Sequence, residues 1–410
     1  METGNFSLLD GLLLGLSLTL SGLMLRRNVR DCNFWRATVT PLASIIGSGF
    51  LVVVPLLAGI AGTASVVAIS GIILLSFWLG SAIRFNIRYD GRGAMAQETP
   101  LAATLERLSD LALAFAYVIS ITFYIRLLSG FVLTGVGAYT LFNADLLATL
   151  VLAFIGGYGL SRGLGGLERL EEYSVTIKLT IIAALLAGLL WHDIGHGYDL
   201  SGLPQTSGDL WQLLRQLGGM LLIVQGFETS KYLASRYKAR LRARSMLLAQ
   251  VLAGVIYIAF VALAMPLMAP FAIQTPDETA IIGLSGQITL VLPLMLVLAA
   301  ALSQFSAAIA DTIGAGGVVE IESRQRLSAR VSYPIIALLA AALTWSTHIF
   351  EVVALASRAF AFYYLLQALQ AARLAMDAAS GRRRYLRVFA YTLLALAMGA
   401  IVLFAIPVEA

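Results

Sequence analysis

The chain has 410 residues, is 59% hydrophobic and only 12% charged, with a mean hydropathy of +0.85. A soluble domain carries about 25% charged residues, so a water-soluble globular fold is excluded and most of the length must lie in lipid. The net charge of +5 is nearly all arginine, and in so apolar a chain it marks cytoplasmic loops rather than a nucleic-acid surface.

The first apolar segment, about residues 8–25, is not a typical cleaved signal peptide, because Arg26-Arg27 follow it rather than precede it. The second, about 37–60, is long enough to cross a bilayer, which takes roughly 20 apolar residues. It carries Gly47-Ser48-Gly49 at its centre, although glycine weakens a helix by about 1 kcal/mol relative to alanine. Backbone groups freed inside a membrane must find partners, so broken helices line cavities or pack on protein. A break here would expose N–H groups and a positive dipole end that can hold a carboxylate. The alternative is that the glycines let a neighbouring helix approach.

Further apolar segments follow at about 65–85, 111–133, 146–160, 175–191, 210–231, 246–268, 288–314, 331–347, 350–372 and 386–406, which predicts twelve spans. Every second loop is basic, from Arg26, Arg27, Arg30 and Arg36 to Arg382, Arg383, Arg384 and Arg387, whereas the alternate loops carry Asp145, Asp193, Asp199, Asp277 and Glu278. By the positive-inside rule both termini face outside, and the expected location is a bacterial cytoplasmic membrane. Cys32 is the only cysteine, so no internal disulfide or cysteine metal site exists. His192 and His196 are four residues apart around Asp193, but two loop histidines are more often solvated than metal-bound, and no metal site is expected.

A second glycine interruption, Gln225-Gly226-Phe227-Glu228, lies in the seventh segment. Gly47 and Gly226 are 179 apart (226 − 47), and the mid-segment cations Lys178 and Arg358 are 180 apart (358 − 178). Two five-segment halves, which invert because five is odd, fit this offset: 36–195 and 209–375, preceded by an extra helix and basic loop at 1–35 and followed by a last helix at 376–410.

Ionisable residues inside a membrane are expensive, and each is a functional candidate with a partner to be named. Lys178 sits just inside the sixth segment and either snorkels or acts in the site, with Asp311 at a similar depth as a candidate partner. Arg126, flanked by Tyr124 and Leu127, is central in the fourth segment and takes Glu228 as its expected counter-charge. Arg358 is central in the eleventh and needs a partner or a carbonyl. For both arginines a structural ion pair and a substrate role stand side by side. Tyr124 and Phe227, among other aromatics, line a pocket or simply pack.

In combination these stretches resemble the amino acid–polyamine–organocation (APC) superfamily. Gly47-Ser48-Gly49 is similar to its first-helix signature and Gln225-Gly226-Phe227-Glu228 to its sixth-helix motif. Tyr173-Ser174-Val175-Thr176-Ile177-Lys178-Leu179 resembles its fifth-helix pattern, and Leu302-Ser303-Gln304-Phe305-Ser306-Ala307-Ala308 its eighth helix. The resemblance spans about 36–408 and implies an all-α polytopic membrane protein with the LeuT-type five-plus-five inverted repeat and one further helix after the repeats; the N-terminal helix stands in front of that pattern. It implies a secondary active transporter with no cofactor and no catalytic residues. The substrate would be a small amino acid or related organic solute, bound by Ser44, Gly47, Ser48, Gly49, Tyr124, Leu222, Gln225, Gly226 and Phe227.

In resembling sodium-independent transporters a fifth-helix lysine takes the place of a sodium ion. Lys178, with the hydroxyls of Ser303 and Ser306 nearby, therefore implies proton coupling, and Glu228 is the second protonation candidate. Two features depart from the pattern: the extra first helix, and Leu222 where amino-acid members often have a large aromatic gate. They keep open an inorganic ion or nucleobase-like solute, or a non-transporting sensor or partner subunit.

Overall fold

The computed structural model describes residues 6–47, 49–90, 100–204, 209–268, 285–346, 349–378 and 381–406. The described chain is helical. In order the helices are α1 (Leu8–Met24), the one-turn α2 (Arg27–Arg30), α3 (Asn33–Ile45), α4 (Gly49–Ala61), α5 (Ser65–Asp90), α6 (Pro100–Gly135), α7 (Leu141–His196), α8 (Leu210–Gly219), α9 (Ala239–Met268), α10 (Leu292–Glu322), α11 (Ala329–Ser346), α12 (Ile349–Ala378) and α13 (Gly381–Phe404). Among the described residues seven helices are long and apolar enough to cross a membrane.

That count falls below twelve partly because the second and seventh segments are broken. The second is split into α3 and α4, of 13 residues each. The seventh is α8 followed by two 3-10 turns, Met220–Val224 and Phe227–Tyr232. Conversely, the fifth and sixth segments, expected to be separated by a basic loop, are two helical arms of the 56-residue α7 that meet at a tight turn with no longer loop between them. At about 1.5 Å per residue a straight helix of that length would be far longer than a bilayer is thick. The chain turns at Gly163 (φ 64°, ψ −166°), a backbone conformation essentially reserved for glycine. The arm before the turn packs on α11, where Gly156 lies against Pro334 and Ala337 and Gly159 against Tyr333. The arm after it packs on α1, α3 and α10.

The extra first helix is docked rather than loose. Ser7 caps α1 by accepting from the Asp10 N–H at 3.1 Å. The Asp10 carboxylate also accepts from the Val291 N–H at 3.0 Å, next to the start of α10. Ser21 and Thr180 share a hydroxyl hydrogen bond of 2.9 Å between α1 and α7. This helix therefore packs along α7 and reaches the start of α10 through Asp10.

A glycine stripe on α10 sets the centre of the bundle. Gly314 lies under the ring of Tyr117, Gly316 under Tyr333 and Gly317 under the backbone of Tyr232, each too close for a Cβ. Small residues at such crossings let membrane helices pack by van der Waals contact.

The turn at Gly163 yields a direct test. Gly163→Ala should lower the thermal unfolding midpoint of the detergent-purified protein, because strain of about 1–3 kcal/mol is expected there. Gly157→Ala, in the same helix with open space around it, should leave the midpoint unchanged or raise it. Equal responses at the two sites would remove the special role given to Gly163.

Candidate functional site

The two breaks meet. Gly226 (φ 112°) presses directly on the Ser44 side chain and the Ile45 N–H, and Gly49 at the start of α4 packs on Ile223 with no room for a Cβ. Tyr257 of α9 holds both ends, its hydroxyl lying 3.0 Å from the carbonyl oxygens of Ile45 and Ile223.

The last carbonyls of a helix have no partner within it and carry its negative dipole end. At the end of α3 they are met by Lys178, whose Nζ donates to the carbonyls of Ile46 at 2.6 Å and Ala43 at 3.0 Å, and to Ser306 Oγ at 2.9 Å. Ser303 donates to the carbonyls of Ile46 at 2.6 Å and Gly47 at 3.0 Å. Lys178 is 0% exposed. It does not snorkel, because α7 continues well below it towards Gly163 and so places it deeper than the sixth segment alone suggests.

Two carboxyls face the breaks. Asp311 on α10 accepts from Ser44 Oγ at 2.7 Å and from Ser120 Oγ on α6. Glu228 accepts through one oxygen from the Gly226 N–H at 2.9 Å and the Tyr364 hydroxyl at 2.8 Å. Gln225 donates to the Tyr124 hydroxyl at 3.0 Å, and the Tyr124 ring reaches towards Gly47. Phe227 stacks on Tyr364 with centroids 5.4 Å apart.

The breaks thus gather Ser44, Gly47, Gly49, Tyr124, Gln225, Gly226, Phe227, Glu228, Lys178, Ser303, Ser306 and Asp311. Ser48 lies outside the described residues, as does the side chain of Leu222. Three expected pairings differ, and so do the expected surroundings of Arg358. Lys178 does not pair with Asp311, because its donors go to the α3 carbonyls. Ser303 serves those same carbonyls rather than the ammonium. Arg126 does not pair with Glu228 but with Asp145 at the start of α7, at 3.1 Å. Arg358 is no buried counterpart of Lys178: it is exposed, with no partner among the described residues, beside a cavity of about 20 Å³ that also touches Leu221 and Tyr364. The offset of 180 residues therefore does not carry equivalent surroundings.

Several residues of the site were not singled out from sequence. Tyr257 gave no signal beyond being one tyrosine in an apolar run. Glu171, buried on α7 two turns before Lys178, accepts from Thr40 of α3 at 2.7 Å; its signal was the Glu168, Glu171, Glu172 spacing, which puts three carboxyls near one helix face. Glu168 is met by Arg236 at 2.6 Å, Arg36 at 3.6 Å and the Tyr237 hydroxyl at 3.2 Å. Lys231 pairs with Asp110 at 3.3 Å and Glu106 at 3.4 Å. These two clusters tie α3, α6, α7 and the segment after Gly226 together on the arginine-rich side.

The chain matches the family described as APC superfamily transporter over residues 27–405, and it belongs to that superfamily. It is an integral membrane transporter of a small solute. It is 44% identical over 379 residues to an uncharacterized protein of Aquifex aeolicus (strain VF5), across 92% of this chain and 91% of that one. Among solved structures it is similar to a Na+-coupled sialic acid symporter in a substrate-bound outward-open state, with a TM-score of 0.56, 12% identity and 97% of each chain covered. It is also similar to a mutant manganese transporter of Eremococcus coleocola, with a TM-score of 0.51, 15% identity and 89% and 87% covered. At these identities the likeness concerns the fold, which is the LeuT type.

The double contact of Tyr257 sets a prediction. Tyr257→Phe keeps the ring but removes the single O–H that the carbonyls of the two breaks share, at a cost of about 1–3 kcal/mol, and should lower the unfolding midpoint. Tyr198→Phe removes an exposed hydroxyl from the Ala262 carbonyl and should have little effect. A Tyr257→Phe protein as stable as the parent would show that the hydroxyl does not hold the breaks together.

Proposed function

We propose that the protein is a sodium-independent, proton-coupled transporter of a small amino acid or related organic solute, working by alternating access around the paired breaks. The observation that carries this reading is the Lys178 ammonium, seated on the carbonyls of Ala43 and Ile46 and on Ser306. A fixed cation at a half-helix C-terminus supplies what a bound metal ion would supply there, and unlike a metal ion it can give up its charge by releasing a proton. The N–H groups opening α4, starting at Gly49, offer the opposite dipole end to a solute carboxylate. Glu228, on the other break, is the second proton carrier.

In this reading the clusters at Glu168 and Lys231 close the cytoplasmic side. They must open for the solute to pass, and loss of the Lys178 proton frees α3 to move. The arginine-rich loops face the cytoplasm, both termini face outside, and the membrane is a bacterial inner membrane.

The test is uptake into proteoliposomes of whichever amino acid stabilises the purified protein. A ligand at 100 times its dissociation constant stabilises by about 2.7 kcal/mol, enough to find it by thermal unfolding. Uptake should rise with an inward proton gradient and stay the same when potassium replaces sodium. Lys178→Ala should remove the response to the gradient. Uptake that requires sodium, or that keeps its gradient response in Lys178→Ala, would refute the coupling scheme.

A further inference from the structure

At the end of the bundle away from the arginine-rich loops, α5, α8 and α13 do not close on one another. Between them runs an apolar groove of about 610 Å³, within the roughly 300–1,000 Å³ usual for a ligand site. Its walls are aliphatic, with Gly71 and Leu75 on α5, Leu214 on α8 and Ala400 on α13. A Cβ built on Gly71 would meet no neighbouring atom within 4 Å, so a side chain there would enter the groove. At the rim Trp211 meets Phe404 edge to face, with centroids 5.6 Å apart. Tryptophan in such a place marks the headgroup level of a bilayer.

Two arginines stand on this groove. Arg215 of α8 lines it. Its Nε donates to the Phe404 carbonyl at 2.8 Å, and its two Nη groups have no partner among the described residues. Arg358 of α12 lines the small cavity of about 20 Å³, which shares Gly218, Ile401 and Ala405 with the groove. The helices α12 and α13 pack on each other across a short connection, so α12 starts at the end where α13 finishes. Arg358 is nine residues after Ile349 (358 − 349), about 14 Å along the helix. Side chains on a helix lean towards its N-terminus, so the guanidinium lies back towards the rim, as a snorkelling arginine does. Neither arginine has a carboxylate partner. The ion-paired arginines and lysine among the described residues are Arg30, Arg36, Arg107, Arg126, Arg236 and Lys231.

An arginine without a counter-charge in a membrane span is costly and calls for a partner. The geometry points to a binding site for an anionic phospholipid of the surrounding bilayer, its phosphate received by Arg358 and Arg215 and an acyl chain laid in the groove between α5, α8 and α13. A guanidinium fork matches phosphate oxygens, and the aliphatic walls match the chain. A free anion would use the arginines and leave the walls without a role. A zwitterionic lipid would fit the walls, but its own cation competes with the arginines for its phosphate. The site is separate from the one at the breaks, although α8, which forms one wall, leads into the second break.

The test uses the full chain purified in a neutral detergent and titrated with lipid, with the thermal unfolding midpoint as the readout. Phosphatidylglycerol should raise the midpoint at a lower concentration than phosphatidylcholine with the same acyl chains. Glycerol phosphate, the headgroup alone, should not raise it over the same range. Arg358→Gln should increase the phosphatidylglycerol concentration needed for half the effect about fivefold and leave phosphatidylcholine unchanged. Gly71→Leu places a side chain in the groove and should weaken both lipids. It enters open space, so it keeps the question answerable if Arg358→Gln does not fold. Arg382→Gln, at the opposite end of α13, serves as the control and should change neither titration. Equal responses to the two lipids, or a loss in Arg382→Gln as large as in Arg358→Gln, would reduce the effect to bulk lipid or diffuse charge and overturn the site. Glycerol phosphate acting as strongly as the lipid would make it a free-anion site and overturn the assignment of the groove.

Discussion

A helix broken in the middle of a membrane leaves carbonyls that lipid cannot satisfy, and here one buried ammonium closes that end. Lys178 reaches from α7 to the carbonyls of Ala43 and Ile46, and Ser303 of α10 shares the Ile46 oxygen. Tyr257 of α9 does the same for Ile45 while also contacting Ile223 at the other break. Three long helices are thereby attached to the interruption in α3 and α4. The gap is held open chemically and closed sterically, which is how a non-helical backbone persists at that depth.

The same attachments couple the centre to the arginine-rich side. Thr40 and Arg36 stand one and two turns before Ser44 on α3, and they touch Glu171 and Glu168 of the helix that carries Lys178. A movement of α3 that releases Lys178 also strains the Glu168 cluster, because both sit on the same pair of helices. Buried ion pairs contribute little net stability but are costly to break by halves, so these clusters suit a device that is either fully formed or fully open. The docked α1 packs along α7 and touches the start of α10. Its hydrogen bonds to Thr180 and Val291 place it where it would feel any change in their spacing.

Much of this architecture was legible in the residues. Hydropathy placed the apolar segments, and the Gly-Ser-Gly and Gln-Gly-Phe-Glu interruptions marked both breaks, because glycine at mid-membrane has few other uses. The shortness of the turn between the fifth and sixth segments was hidden because Arg162 and Arg169 resemble a loop, while only the backbone shows that a single glycine makes it. The pairings of Arg126 and Lys178 were misread for a common reason. Depth along a helix can be estimated from sequence, but the rotation of a side chain about the helix axis relative to its neighbours cannot.

What the sequence determined by itself is the chemistry available: an apolar chain with alternating basic loops, two glycine breaks, and a lysine, a glutamate and an aspartate too deep to be incidental. Which of these groups meet was decided only by the tertiary structure. Residues as far apart as Ser44, Ser120 and Asp311, or Gly226 and Tyr364, come within hydrogen-bond reach because helices cross there. A crossing point depends on how small residues such as Gly314 and Gly317 let backbones approach, a property of two surfaces at once that no single stretch of sequence contains.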